Sequence, residues 1–268
     1  MKNKLIILGS GTCVSSFYKP FDFRYPSGYL LQSEGINMLL DCSEGIRARL
    51  EKVKFDYFKI DYIFISHFHP DHFSLDTFLQ AFYVRARKAG QPKKITVFGS
   101  SEIERHFSTI WDLKYANGHY QKDFKKILDI DFQEFSDNKE IDRDNKIKIT
   151  SFRVPHGEME AYATRFSLGN KSLTYSGDSG DSENLVKAAK NTDLFICEAA
   201  TEIGKKDPEN AHLNPFQAGE TAKKANSKAL ILTHYHGSNP DEAMIKDVRK
   251  SGYSGDIFVA KDFQSFYL

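Results

Sequence analysis

Short apolar runs bounded by glycine, aspartate and asparagine recur along the whole chain. Within these runs apolar residues either alternate with polar ones or follow one another without a break, a pattern typical of β-strands. DYIFIS and KALILTH are two examples. The predicted strands lie at 5–8, 27–33, 36–42, 61–66, 94–99, 146–154, 162–168, 171–177, 193–199, 228–234 and 256–260.

Helical patterns lie between some of these strands. Residues 43–53 and 74–89 have apolar side chains at three-and-four spacing, and residues 214–226 and 239–252 both begin with Asn-Pro, a typical helix start. Gly252 is a typical helix stop. Each half of the chain thus has strand-rich segments followed by helices. This order predicts an α/β fold, an αββα sandwich in which two facing mixed sheets are flanked by helices.

The organisation predicts a single domain over residues 1–268, because no low-complexity linker or short-period repeat interrupts the pattern. The stretch 111–145 is the least periodic part. We interpret it as surface insertions around one or two helices, with most of its charge on a solvated face.

Composition narrows the classes of partner. The chain has 37 basic and 36 acidic residues, so its net charge is close to zero. Proteins that bind long nucleic acids usually carry a basic face. Three widely spaced cysteines, with no Cys-x-x-Cys, argue against a disulfide framework and favour a reducing compartment. No apolar run approaches the roughly 20 residues of a membrane span. We therefore expect a cytoplasmic protein with no membrane partner.

The stretch ISHFHPDHF concentrates groups that bind metals. His67 and His69 follow a predicted strand at a spacing of two and so point to the same side. Pro70 breaks the extended run, and Asp71 and His72 follow it at the start of the next helical segment. Imidazoles with a carboxylate suit zinc, iron or manganese, and burying them without a partner would be costly. The stretch therefore predicts a metal site.

Three more residues of ligand type stand at the carboxyl ends of predicted strands, where loops gather to form sites. These are His156, Asp178 and His234. Asp178 lies between glycines that allow close backbone approach. Alone, each of the three is weak support for a site, but with the first stretch they form an ordered set of seven.

The set resembles that of a known family. HFHPDH matches the His-x-His-x-Asp-His motif of the metallo-β-lactamase fold, and the three later residues follow in the order that the family requires. The chain is most similar to the ribonuclease Z branch and its phosphodiesterase relatives, from LGSGT at 8–12 to the terminal AKDFQSFYL. Residues 197–201 resemble the His-Glu-Ala-Thr element of that branch, with cysteine first, and residues 211–214 stand where it has Gly-His-Ser-Thr. Further similar elements lie at 9–12, 41–45 and 176–179.

The resemblance implies two Zn²⁺ per chain, with Mn²⁺ or Fe²⁺ as alternatives. One metal site would be formed by His67, His69 and His156, the other by Asp71, His72 and His234, with Asp178 bridging. Metal-bound hydroxide would attack a phosphodiester, as in other two-metal sites.

Three carboxylates and one histidine receive further roles from the resemblance. Asp71 would also orient the hydroxide and act as the proton acceptor. Glu198 would orient His212, which would donate a proton to the leaving oxygen. Alternatively, His212 is a surface histidine before a helix. Asp41 would accept a hydrogen bond from a metal-bound histidine.

The chain departs from ribonuclease Z in one respect. In the bacterial enzymes a long arm that grips tRNA is inserted between the third-motif histidine and the bridging aspartate. Here only about twenty residues separate His156 from Asp178, and they contain a plain predicted hairpin at 162–177. The missing arm and the near-zero net charge argue against a dedicated tRNA-processing enzyme. We therefore expect a zinc-dependent phosphodiesterase or ribonuclease Z-like nuclease whose substrate is a small RNA or a cyclic or other small phosphodiester. A homodimer is a compatible assembly.

Three alternatives stay open. The first is a hydrolase of a lactone, β-lactam or thioester, although Asp178 stands where true β-lactamases usually have a cysteine. The second is an iron-dependent oxidoreductase, which would normally carry an appended redox domain. The third is a non-catalytic scaffold, which the complete ligand set disfavours.

The remaining histidines and two of the cysteines lie outside these motifs. His106, His119 and His236 are expected on the surface, and His236 is near enough to His234 in sequence to line the pocket. Cys42 and Cys197 are expected to be buried and inert.

Overall fold

Two seven-stranded mixed sheets form the centre of the protein. The computed structural model describes residues 3–14, 23–115, 124–143, 146–237 and 239–268. The first sheet contains β1 (Lys4–Gly9), β2 (Gly28–Ser33), β3 (Ile36–Leu40), β4 (Tyr62–Phe64), β5 (Lys93–Gly99), β6 (Leu128–Glu134) and β14 (Ser265–Tyr267). The second contains β7 (Lys139–Arg143), β8 (Ile147–Val154), β9 (Ala161–Leu168), β10 (Lys171–Tyr175), β11 (Leu194–Glu198), β12 (Ala229–Thr233) and β13 (Asp256–Val259).

Each sheet is antiparallel in one half and parallel in the other. The first has the order β14-β1-β2-β3-β4-β5-β6, and its strands β3 to β6 are parallel. The second has the order β13-β12-β11-β10-β9-β8-β7, and its strands β10 to β13 are parallel. Because β9 is antiparallel to both neighbours, β8 runs in the direction of β10. The carboxyl ends of β8, β10, β11 and β12 therefore lie at one edge of their sheet.

The sheets are buried on both faces, which explains the unbroken apolar runs. In β1, Leu5 and Ile7 belong to the core between the sheets, together with Phe166 of β9. Ile6 and Leu8 point the other way and pack in a second core that includes residues of α1 and α2. A third core covers the outer face of the second sheet. These layers are the αββα sandwich that the pattern predicts.

Helices cover the outer faces. Within the described residues they are α1 (Ile46–Lys52), α2 (Leu75–Ala89), α3 (Ile103–Tyr115), the short α4 (Lys125–Ile127), α5 (Glu183–Ala189), α6 (Pro215–Lys224) and α7 (Asp241–Lys250), with a 3₁₀ turn at Tyr57–Lys59. The four predicted helices correspond to α1, α2, α6 and α7. The Asn-Pro start of α6 forms a capping box in which Asn214 and Gln217 satisfy each other's backbone N–H groups.

The stretch 111–145 differs from its prediction. Two helices do lie there, but the stretch also supplies β6 and β7, the outer strands that follow β5 and precede β8. Trp111 is fully buried, so this part is not only a surface insertion. Strands at the edge of a sheet tolerate charged side chains. The sequence of β6, LDIDFQE, contains acidic residues that interrupt the apolar pattern, so the strand was not predicted. The part of α3 before Trp111, the helix α5 and the strand β14 were also not predicted.

Two expectations about burial and membranes can be compared with these elements. Cys42 and Cys197 are fully buried, as expected, and burial raises the pKa of both thiols. None of the helices described above is long and apolar enough to cross a membrane.

Candidate metal centre and active site

The seven predicted ligands converge at the carboxyl ends of strands from both sheets. His67 and His69 follow β4 in the first sheet. His156, Asp178 and His234 follow β8, β10 and β12 in the second. The loop of Asp178 can approach Ser66 closely because residue 177 is a glycine. A Cβ at Gly177, whose φ is +59°, would lie only 2.8 Å from Cβ of Ser66. The two sheets thus bring together residues that are far apart in the sequence.

One group consists of His67, His69 and His156 with Asp178. Their potential ligand atoms all lie within 4.8 Å of one another. Nε2 of His156 is 3.0 Å from Nδ1 of His69. Oδ2 of Asp178 is 3.7 Å from Nε2 of His67 and 3.9 Å from Nε2 of His156. These four atoms face a common point.

The second group consists of Asp71, His72 and His234, again within 4.8 Å. Nε2 of His72 is 3.3 Å from Nε2 of His234, which is 3.5 Å from Oδ2 of Asp71. Asp178 reaches this group too, since its Oδ1 is 3.2 Å from His72 and its Oδ2 is 3.3 Å from His234. Asp178 therefore lies between the two groups.

The side chains fit a bound divalent cation. Nε2 of His67 is buried and forms no hydrogen bond within the described residues. Buried polar atoms without a partner are costly and rare. Two pairs of ring nitrogens lie 3.0 Å apart, in His69 and His156, and 3.3 Å apart, in His72 and His234. Nitrogens this close either form an N–H···N hydrogen bond or both face a cation. Imidazole nitrogens and carboxylate oxygens are the donors that zinc, iron and manganese accept.

Asp41 orients the second group. Its fully buried carboxylate accepts hydrogen bonds from Nδ1 of His72 at 2.6 Å, from the hydroxyl and backbone N–H of Ser66, and from the hydroxyl of Tyr175. The bond to Nδ1 leaves Nε2 of His72 for the centre. Asp41 has the left-handed φ of +55°, a conformation that aspartate tolerates better than most residues. The predicted role of Asp41 as a hydrogen-bond acceptor for a histidine of this set is confirmed.

Other contacts orient the remaining ligands. The carbonyl of Ala211 accepts a hydrogen bond from Nδ1 of His156 at 2.8 Å, so Nε2 points inward. The backbone N–H of Cys13, in the loop after β1, donates to Oδ2 of Asp71 at 3.0 Å. Cys13 directly follows the GSGT element at 9–12, so the loop that carries this element contacts the site.

Charge and burial set the protonation of the centre. Burial and the neighbouring His72 lower the pKa of His67 well below its usual value, which leaves the ring neutral and able to bind a cation. Burial alone would raise the pKa of Asp178, but the surrounding histidines outweigh it and hold that pKa well below the usual range. The centre thus presents an ionised carboxylate among imidazoles.

Glu198 and His212 form a pair beside this centre. Nδ1 of His212 donates to Oε1 of Glu198 at 2.8 Å. The buried carboxylate is fixed by the backbone N–H groups of Ser179 at 3.1 Å and Ala200 at 2.9 Å. Burial alone would lower the pKa of His212, but Glu198 raises it to about 9. The His212 ring lies 5.5 Å from the ring of His234, centroid to centroid.

His212 borders an open cleft of about 790 Å³, whose lining also includes His69, His156 and Met159. His236 is half-buried rather than on the surface: its ring centroid is 6.1 Å from that of His234, and burial lowers its pKa to about 4. His106 is exposed, as predicted, and stacks on Phe68. His119 lies outside the described residues.

All ten predicted site residues come together, and the structure adds three supporting residues that sequence reasoning missed. Ser66 and Tyr175 donate to Asp41, and Asp207 accepts from the backbone of Ala211 and His212. Ser66 stands directly before the histidine stretch and could have been suspected there. Asp207 carries only the weak signal of an Asp-Pro turn.

Comparisons with known proteins bear on the family. Residues 3–253 match the family model described as anti-Pycsar protein Apyc1. An uncharacterized protein of Mycobacterium leprae is 32% identical over 108 residues, which are 40% of this chain and 38% of that protein. A ribonuclease Z of Halobacterium salinarum is 33% identical over 94 residues, 34% of this chain and 30% of that enzyme. The matched segments therefore span well under half the length of these relatives.

Solved structures agree on the fold over the whole chain. The metallo-β-lactamase fold protein YhfI of Bacillus subtilis has a TM-score of 0.80 at 22% identity, with 100% of both chains covered. The short form of human tRNase Z has a TM-score of 0.74 at 21% identity, with 98% of both chains covered. The chain therefore has the metallo-β-lactamase fold, and because the family model matches residues 3–253, it belongs to the anti-Pycsar protein Apyc1 family.

Proposed function

We propose that this protein is a binuclear zinc-dependent phosphodiesterase with ribonuclease Z-like chemistry, whose substrate is a small RNA or a cyclic or other small phosphodiester. One observation carries the proposal. The Asp178 carboxylate lies within 3.2–3.9 Å of histidines from both ligand groups, and the Glu198–His212 pair stands beside them. The phosphodiester class is supported by the similarity to ribonuclease Z and tRNase Z.

In this proposal, one cation is held by His67, His69 and His156 and the other by Asp71, His72 and His234, with Asp178 shared. Zn²⁺ is the first choice, and Mn²⁺ or Fe²⁺ are alternatives that also accept ligand sets of imidazole and carboxylate. A bound pair of divalent cations supplies positive charge for a phosphate and lowers the pKa of water.

Asp71 orients the attacking water. Its Oδ2 is occupied by the N–H of Cys13, which fixes the plane of the carboxylate. The carboxylate accepts a hydrogen bond from the water and takes its proton as the water attacks phosphorus. Positioned general bases of this kind contribute about 10²–10⁴-fold.

His212 serves the leaving group. Glu198 occupies Nδ1 and stabilises the protonated ring, so Nε2 is the nitrogen that donates. Nε2 gives its proton to the leaving oxygen as the P–O bond breaks. The buried and doubly held Glu198 keeps the ring in one orientation.

Small substrates are favoured by the segment between His156 and Asp178. This segment is the β9–β10 hairpin, in which Leu168 pairs with Lys171 around a tight turn. Nothing in the hairpin extends like an RNA-gripping arm. A homodimer remains compatible, and size-exclusion chromatography would test it.

One preparation loaded with zinc tests the proposal. We expect turnover of a nitrophenyl phosphodiester and of at least one cyclic phosphate or short RNA, and loss of that turnover in Asp71→Ala. Asp181→Asn is the matched control, because Asp181 is an exposed aspartate whose carboxylate has no part in the proposed chemistry. Hydrolysis of a lactone, β-lactam or thioester with no diester hydrolysed would overturn the proposal in favour of that class.

A further inference from the structure

We infer that Asp207 is a positioning residue that holds the proton donor His212 and the ligand His156 through one turn. The inference rests on the proposed function, since it assigns Asp207 a part in that chemistry. Asp207 itself touches neither the ligand groups nor the Glu198 carboxylate in any described contact.

The Asp207 carboxylate organises the turn that follows it. Its Oδ2 accepts the backbone N–H groups of Ala211 at 3.0 Å and His212 at 2.9 Å. Its Oδ1 accepts the backbone N–H of Glu209 at 3.1 Å. The backbone carbonyl of Asp207 also accepts the N–H of Asn210 at 3.2 Å. A single carboxylate therefore satisfies three donors of a turn that has no regular secondary structure.

The two residues held by Oδ2 have separate tasks. The carbonyl of Ala211 accepts Nδ1–H of His156, which turns Nε2 of that histidine toward the metal centre. The next residue, His212, donates from Nδ1 to Glu198. Because both backbone N–H groups share one oxygen, a shift of the turn displaces a ligand and a proton donor together.

The far side of the turn contacts the Asp178 loop. The Asn210 side chain accepts from the N–H of Asp181 at 3.0 Å and donates to the carbonyl of Asp181 at 3.2 Å. Gly180 allows this approach, since a Cβ there would lie 1.9 Å from the carbonyl oxygen of Asn210. Asn210 thus joins the turn to the loop of Asp178, and Asp207 holds the turn from within through the backbone of Ala211 and His212.

Supporting groups of this type usually change metal affinity or activity by about 10–100-fold when they are removed. In Asp207→Ala we expect a loss of about tenfold or more in kcat/KM for diesters with poor leaving groups, and a much smaller loss for nitrophenyl diesters. We also expect a chelator to remove one zinc equivalent about tenfold faster than from the wild type, because His156 is no longer held. Asp207→Asn keeps one oxygen acceptor, so its kcat/KM and its rate of zinc release should lie between those of the wild type and Asp207→Ala.

The experiment measures kcat and KM with both classes of leaving group, and zinc release to a chromogenic chelator, on folded protein checked by circular dichroism. In the His212→Ala background, Asp207→Ala should add little to the leaving-group defect but should still speed zinc release. Asp129→Asn is the matched control, because Asp129 is an exposed aspartate of β6, and it should resemble the wild type in both measurements. If Asp207→Ala is unfolded, Asp207→Asn carries the same two readouts.

Wild-type values in both readouts would overturn the inference. An equal loss on all substrates with unchanged zinc release would overturn it too, because this is the result of general destabilisation. If the wild type hydrolyses no diester at all, the proposed function fails instead, and the zinc-release measurement still decides whether Asp207 positions His156.

Discussion

At the scale of single residues, the candidate site depends on side chains that hold other side chains. A histidine ligand presents a defined nitrogen when its opposite nitrogen has a hydrogen-bond partner. Asp41 provides this partner for His72, and the carbonyl of Ala211 provides it for His156. Each partner comes from a different loop, so the orientation of the ligands depends on the closure of the whole edge.

Asp41 offers a direct test at this scale. Asp41→Ala should lower the free energy of unfolding by on the order of 3 kcal/mol, because several buried donors lose their acceptor. Asp41→Asn tolerates the left-handed backbone and keeps one acceptor, so it should cost less. Urea denaturation of both variants in zinc-free buffer measures the difference. Equal stability of wild type and Asp41→Ala would contradict the described network.

His212 can be tested through the leaving group. His212→Ala should slow diesters with poor leaving groups by about 100-fold or more, since such groups need a proton as they depart. Nitrophenyl diesters leave without help and should slow far less. Rates of both diester classes, measured under the same conditions with saturating zinc, provide the comparison. Similar losses on both would remove His212 from the proton-donor role and favour the alternative of a surface histidine.

At the scale of secondary-structure elements, the start of α6 serves both stability and the site. Asn214 caps the helix two residues after His212, and its Nδ2 donates to the carbonyl of Lys205. The cap therefore holds the backbone that directly follows His212 in place. The Asn-Pro pattern predicted this helix, but only the structure relates the cap to the site.

The cap predicts a measurable loss. Asn214→Ala should lower the free energy of unfolding by about 1 kcal/mol, the usual value of an N-cap. Ser182→Ala is a matched control, because Ser182 caps α5 by accepting from the N–H of Leu185. Both variants should lose similar stability in urea denaturation, but only Asn214→Ala should also reduce turnover of diesters with poor leaving groups. Unchanged turnover in Asn214→Ala would separate the cap from the site.

Elements were predictable where the pattern of residues reflects their surroundings. Strands such as β1 and β12 are buried on both faces and read as unbroken apolar runs. The edge strands β6 and β7 were missed because an edge strand has fewer neighbours and accepts charged residues. The pattern of these edge strands therefore carries less information about their structure.

At the scale of the whole molecule, the proposed metals join the two sheets. Four of the ligand-type residues lie in the loop after β4 of the first sheet: His67, His69, Asp71 and His72. The other three follow strands of the second sheet: His156, Asp178 and His234. An ion that binds only the folded state stabilises that state. The cations should therefore act as a link across the edge of the sandwich.

Metal removal tests this link. Zinc at about 100 times its dissociation constant should add about 2.7 kcal/mol to the free energy of unfolding, and chelation should lower the melting temperature by roughly 5–10 °C. Calorimetry before and after chelation measures the shift, with zinc content determined on the same samples. Asp178→Asn should show a smaller response, because the shared carboxylate is weakened as a ligand. An unchanged melting temperature after complete zinc loss would contradict the link.

By itself the sequence determined the two-sheet sandwich, the order of the seven ligand-type residues and the capped helix before the last of them. These features are local, since they follow from the spacing of apolar residues and from side-chain chemistry within a few positions. The resemblance implied that Asp178 is shared and that Asp41 accepts from a metal-bound histidine. Only the tertiary structure decided how closely Asp178 approaches both groups, that the histidine held by Asp41 is His72, and that Asp207 controls the turn of Ala211 and His212. The contacts of Asp178 with His67 and His72 join loops of the two sheets, and their geometry exists only after those sheets have packed.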